Sequence, residues 1–199
     1  LDKNMIEQIY FKGTFYPKFQ SIGGASQFAI PFAKHSCTGI GFDIGFSKEE
    51  WQYPGSIGID SSFYDGRWHA MNLPDHYYEL DGRKIPSIFS THANPNFPTE
   101  VIHIGQVDYV FSSHCLEHLN DWVRVLDYWI SKIKIGGTLF LYLPHHSQKY
   151  WAPWSNKKHI HSFGRKIIRE YLEAKPDMDK IYVSGVDLNN SFMVMAEKR

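Results

Sequence analysis

The sequence has 199 residues, with Lys+Arg and Asp+Glu each at 21 and a formal net charge of zero. That length suits one globular domain with a full core, and the balanced charge argues against nucleic acid or an anionic membrane as the main partner, since phosphate recognition needs clustered excess Lys/Arg. Hydrophobic residues at 43% and aromatics at 16% exclude a disordered chain, and no apolar run approaches the roughly 20 residues that span a bilayer.

Residues 1–38 read as a helical, aromatic-rich lead-in, with Tyr10, Phe11, Phe15, Tyr16 and Phe19 crowded together and a short helix over Ser26–Lys34. The start, Leu1-Asp2-Lys3-Asn4, carries no apolar signal core. With only Cys37 and Cys115 available, both read as buried thiols, a reducing cytoplasm is the expected location. Gly39–Gly45 is an apolar segment closed by an acid and a glycine, as a buried parallel strand entering a turn would be. A turn or two of helix follows near Ser47–Trp51, and Ser56–Asp60 is a second strand ending in an acid. Trp68–Ala70 is a candidate third strand. Residues 75–106 lack periodicity and read as an insertion with a hairpin around Asp81-Gly82.

Val107–Ser112 is strand-like. From Leu116 to Ile133 apolar residues recur at three- and four-residue steps, which predicts one helix ended by Gly136-Gly137. Thr138–Leu143 is a continuous apolar strand. A histidine-rich loop follows over 145–162, then a helix over Arg165–Ala174 and two closing strands, Ile181–Val186 and Phe192–Ala196, close enough to pair antiparallel. Strands alternating with helices predict an α/β, doubly wound Rossmann-like sheet, mostly parallel with an antiparallel last strand. Its ligand site is expected at the carboxyl ends of the strands.

Asp43 and Asp60, each closing a strand, suit a nucleotide site in which an acid accepts from ribose hydroxyls and a glycine lets the ligand approach the backbone. Gly39-x-Gly41-x-x-x-Gly45 is a poor dinucleotide fingerprint, because its first two glycines fall inside the strand. The order of motifs resembles the class I S-adenosylmethionine (SAM)-dependent methyltransferases, particularly small bacterial enzymes acting on metabolites, lipids or sugars. The blocks that carry the resemblance are Val107–Leu119 with its Leu116-Glu117-His118 turn, Lys134–Pro144, Ala70-x-x-Leu73-Pro74 and His159–Phe163. It implies SAM as cofactor, with Asp43 and Gly45 on the methionine side and Asp60, with Ser61 beside it, on the ribose. His69, Ala70, Met71 and Leu73 would flank the adenine, and Ser112 and Ser113 would lie beneath the cofactor. The first loop departs from the family pattern, continuing as Phe46-Ser47-Lys48 where further glycines are usual, and His69 replaces the usual acid.

The expected activity is methyl transfer to an O, N or C nucleophile of a small or medium organic substrate. His114, His145, His146 or His161 would take the acceptor's proton, since an imidazole suits general-base work near neutrality. Glu117 and His118 are expected to bond backbone near the cleft, and no metal is expected. Two other readings stand beside this one: a methyltransferase-fold binding module without activity, with the cleft blocked by Phe46 or Trp51, and a zinc peptidase of the H-x-x-E-H type built on His114, Glu117 and His118.

Overall fold

The computed structural model describes residues 8–11, 14–17, 24–59, 76–79, 100–103, 106–149, 152–155 and 158–199. It begins with an antiparallel hairpin of β1 (Gln8–Phe11) and β2 (Thr14–Pro17), pairing Tyr10 with Phe15. The helical reading of this stretch is corrected: aromatics flanking a two-residue Lys12-Gly13 connection favour paired strands. Helix α1 (Ser26–Ala33) follows as the sequence predicts. Next come β3 (Gly41–Ile44), a 3₁₀ turn over Glu49–Trp51, and β4 (Ile57–Ile59).

Strands β5 (His76–Glu79) and β6 (Glu100–His103) pair antiparallel, with Glu79 opposite Glu100. The insertion therefore holds a hairpin, while the turn expected around Asp81-Gly82 lies outside the described residues. The expected strand at Trp68–Ala70 lies outside the described residues. The chain continues through β7 (Val107–Ser113), a 3₁₀ turn over Leu116–His118, α2 (Trp122–Ser131), β8 (Ile133–Pro144), α3 (Arg165–Glu173), β9 (Met178–Val183) and β10 (Ser191–Lys198).

Six strands form one sheet in the order β4-β3-β7-β8-β10-β9. The β4, β3, β7 and β8 pairings are parallel, and β10 runs antiparallel to both β8 and β9. This is the α/β architecture, with its antiparallel last strand, that the sequence predicts. Two-residue alternation sorts the apolar side chains between the faces. On one face Tyr109, Phe111, Phe140 and Tyr142 pack against Ala25, Ala29 and Ala33 of the α1 region. On the other, Val110, Leu139, Leu141, Phe192 and Val194 pack against Leu126, Trp129 and Ile130 of α2 and Ile168 and Leu172 of α3. Burying each of these larger side chains contributes about 1.5–3 kcal/mol.

Two details differ from the sequence reading. The apolar run from Leu116 to Ile133 is not one helix, because Asp121 caps a new start, its side chain accepting from Arg124 N at 3.1 Å. Gly136-Gly137 is not a helix cap either. The helix has ended at Ser131, and the glycines sit within β8, where Gly136 has φ +79° and the register against β7 jumps from Val107↔Ile133 to Tyr109↔Thr138. Glycine inside a strand marks such a bulge. Both cysteines are buried and unbridged. Among the described residues, no helix is long and apolar enough to cross a membrane.

Candidate active site at the carboxyl edge of the sheet

From β3 the chain moves to β4 on one side and later arrives at β7 on the other. The strand order therefore reverses between β3 and β7, the point at which open parallel sheets form a ligand crevice. The pairing of Ile44 with Ser112 brings the carboxyl ends of these two strands side by side, and β8 adds Pro144 and His145 to the same edge.

Asp43 is buried, and its Oδ2 accepts from Tyr53 N at 2.6 Å, which closes the 45–53 loop back onto β3. Gly45 follows with φ +85°, and its own N–H donates to Ile59 O at 2.8 Å. A Cβ at Gly45 would lie 2.5 Å from Cys115 Cβ, so the turn after β7 packs directly onto this glycine. Gly39 and Gly41 have the same explanation. A Cβ on the first would meet the Asp108 carboxylate and one on the second the Tyr109 ring, so these glycines make room for β7 and not for a pyrophosphate. Phe46 and Trp51 are both buried.

Ser112 Oγ donates to Ile44 O at 2.8 Å and so locks β7 to β3. Ser113 Oγ, one residue further, is buried and has no hydrogen-bond partner among the described residues. A buried hydroxyl left in that state at a switch point suits a polar ligand that completes its bonding. Asp60, Ser61, His69, Ala70, Met71 and Leu73 lie outside the described residues.

The four candidate histidines have separate environments. His114 takes φ +50°, turning the chain sharply out of β7, while its N–H donates to Tyr142 O at 2.9 Å. Its Nε2 lies 3.0 Å from Ser191 Oγ. Burial, with the neighbouring imidazoles His159 and His118, pushes its pKa down to about 3. Ser191 is held in turn by Asp187, whose Oδ1 accepts from Ser191 N at 3.0 Å and whose Oδ2 accepts from Tyr142 Oη at 2.6 Å. His145 stacks on His146 at 3.9 Å between ring centres, and its Nδ1 accepts from Ser147 N at 3.3 Å. Partial burial, His146 and Arg165 lower the His145 pKa. The His146 side chain is exposed. His161 donates from Nε2 to Leu119 O at 2.8 Å and Asn120 O at 3.1 Å.

The feature that sequence reasoning missed is the centre of the Leu116-Glu117-His118 turn. Its backbone behaves as expected, since Glu117 O accepts from Ile160 N at 2.9 Å and His161 N at 3.1 Å, and His118 Nδ1 bonds Lys158 O at 2.8 Å. Loop 158–161 and the turn are thus one hydrogen-bonded unit. The Glu117 side chain, however, is fully buried, with no hydrogen bond to either carboxylate oxygen among the described residues. Three imidazole nitrogens surround its Oε1: His114 Nδ1 at 3.8 Å, His159 Nε2 at 3.9 Å and His118 Nε2 at 4.0 Å. Burial raises the Glu117 pKa to about 8, and burial and His118 lower that of His159 to about 3. The signal was present in the 11 histidines of the sequence and in H-x-x-E-H, but only the fold brings His159 to that motif.

Residues 21–175 match the family model described as a methyltransferase domain. The chain belongs to this methyltransferase family. It is accordingly a SAM-dependent methyltransferase, with SAM as cofactor. Solved structures agree in fold. A SAM-dependent methyltransferase from Archaeoglobus fulgidus superposes with a TM-score of 0.51 at 16% identity, covering 87% of this chain and 94% of its own. One from Thermotoga maritima, described as a possible histamine N-methyltransferase, gives 0.53 at 13%, covering 92% and 95%. The Burkholderia thailandensis 1,6-didemethyltoxoflavin-N1-methyltransferase gives 0.55 at 10%, covering 91% and 81%. No curated protein sequence matches the methyltransferase.

Proposed function

We propose that this methyltransferase acts on an oxygen, nitrogen or carbon nucleophile of a small or medium organic acceptor, in the crevice between the carboxyl ends of β3 and β7. The observation that carries the reading is the switch point itself, where β3 and β7 pair up to Ile44 and Ser112, just before Gly45 and the buried hydroxyl of Ser113, unpartnered among the described residues. Asp43 and Gly45 would bound the methionine end of SAM, Ser112 and Ser113 would lie beneath the cofactor, Asp60 and Ser61 would hold the ribose, and His69, Ala70, Met71 and Leu73 would flank the adenine. When bound, the cofactor supplies an electrophilic sulfonium methyl, so the chain's main task is to orient the acceptor and exclude water.

The histidines divide by environment. A base works best with a pKa near the operating pH, and His114 lies far below it. His114 and His161, both committed to bonds within the edge, are therefore positioning residues. His146, exposed beside the end of β8, is the better candidate to accept a proton, with His145 stacked against it. Neutral overall charge supports a small-molecule acceptor over nucleic acid.

Calorimetric titration with SAM tests this. Binding is expected, weakened roughly 10–100-fold in Asp60→Ala by loss of charge-assisted bonds worth about 1.5–3 kcal/mol. Absence of heat at millimolar SAM would overturn the assignment of the crevice. It would favour the second reading, a fold kept for binding without transfer.

A further inference from the structure

We propose that Glu117, His118 and His159 form a binding site for one divalent transition-metal ion of zinc's ligand preference, distinct from the SAM crevice. Their ligand atoms, one carboxylate oxygen and two imidazole nitrogens, all lie within 4.8 Å of one another. A tetrahedral ion with bonds of about 2.0–2.1 Å holds its ligands roughly 3.3 Å apart. Contraction of about 0.7 Å or less between Glu117 Oε1 and each imidazole, and of at most about 1.5 Å between any two ligand atoms, would close the cluster, within the reach of side-chain rotation.

Three independent features point to a cation. First, the Glu117 carboxylate is fully buried and has no hydrogen bond among the described residues, yet it is aimed at three imidazoles. Buried carboxylates are normally compensated by bonds or by a metal. Second, Lys158 O fixes His118 by accepting from its Nδ1, so that the ring turns its Nε2 toward Glu117, 4.0 Å from Oε1. A backbone carbonyl on the far nitrogen is the usual way a metal-binding histidine is oriented. Third, the ligands come from two segments that the backbone bonds of Glu117 O to Ile160 N and His161 N already hold together, so the site is assembled before any ion arrives. Two nitrogens and one carboxylate oxygen match zinc-like ions better than calcium or magnesium, which prefer oxygen.

Three protein ligands leave a tetrahedral ion one position. His114 Nδ1, 3.8 Å from Glu117 Oε1, borders the cluster, while its Nε2 is held by Ser191. The fourth position falls to water, or to His114 after a small rotation. This differs from a zinc peptidase, because one of the three ligands is the Glu that such an enzyme keeps free to activate water.

The test uses the full chain stripped with a chelator and titrated with Zn²⁺ or Co²⁺ alone, without SAM or acceptor, so its outcome is independent of methyl transfer. About one equivalent should bind, and Co²⁺ should give the intense visible absorption of a four-coordinate nitrogen and oxygen site. Glu117→Gln and His159→Ala should each weaken binding by more than about 100-fold, beyond the 10–100-fold that loss of an outer-shell partner costs. Because a buried variant can fail to fold, His118→Gln, at the more open side, serves as a second probe alongside the wild-type Co²⁺ spectrum. Binding of well under one equivalent to the wild type, an octahedral-type weak spectrum, or affinity unchanged in folded His118→Gln and His159→Ala would each overturn the site.

Discussion

Gly45 shows how much of this edge depends on a single residue. Its φ of +85° strains any side chain, and its α-carbon faces Cys115 at a distance no Cβ tolerates. Gly45→Ala combines a left-handed conformation costing about 1 kcal/mol with displacement of the turn after β7, for an expected total loss of roughly 2–4 kcal/mol. Urea unfolding measures it, and a loss below about 1 kcal/mol would show that the turn yields freely. The position of several candidate residues relative to the strands was legible in advance. Asp43 and Gly45 flank the end of β3, and Ser112 and Ser113 close β7, where polar and turn-forming residues interrupt the apolar runs. The environment of Glu117 was not legible, since a carboxylate's surroundings come from whichever segments the topology brings over it, and His159 lies 42 positions along the chain.

At the scale of elements, the central strands of the sheet were read more securely than the turns and the lead-in. The buried cores of β7 and β8, Tyr109–Phe111 and Leu139–Leu143, are continuous apolar runs. The Leu116–Ile133 run obeys helical periodicity on both sides of its break, so only the Asn120-Asp121 start signal could have divided it. The aromatic lead-in was misread for the converse reason, because crowded aromatics carry no period and the two-residue connection at Lys12-Gly13 decides for a hairpin. Where Leu116–His118 meets loop 158–161, the two elements hold each other through Glu117 O, Lys158 O and the forked bond from His161. His161→Ala removes one arm, worth about 1 kcal/mol, so hydrogen exchange at Ile160 and His161 amides should quicken roughly fivefold while that of β7 is unchanged. Equal acceleration in both would mean that the loop opens only with the whole sheet.

For the whole molecule, acid should act through ties between layers. Asp108, at the start of β7, accepts from Ile40 N at 2.8 Å and pairs with Lys134, while Asp127 on α2 accepts from Tyr171 Oη at 2.6 Å and pairs with Lys175 beyond α3. Burial raises both carboxyls, but the lysines and the hydrogen bonds outweigh it, and each pKa ends below its ordinary value. A group whose folded pKa is depressed stabilises the fold above its unfolded value of about 3.9, and that stability disappears as pH falls through the lower folded value. Asp187 works in the opposite direction. Its burial exceeds the help of Tyr142 and the Ser191 and Asn189 amides, so its pKa is raised and protonation favours the folded state. Both ion pairs are partly exposed, so each aspartate contributes at most about 1 kcal/mol. His114 and His159, held neutral far below their ordinary pKa, take up protons in the unfolded chain first, so the melting temperature should begin to fall near pH 6.5 and fall further between about pH 5 and 3 as the aspartate ties are lost. The slope should be shallower in Asp108→Asn and Asp127→Asn, which have already lost the contribution that acid removes, and steeper in Asp187→Asn, which has lost the opposing one. Parallel curves for all four proteins would locate the acid sensitivity elsewhere in the molecule.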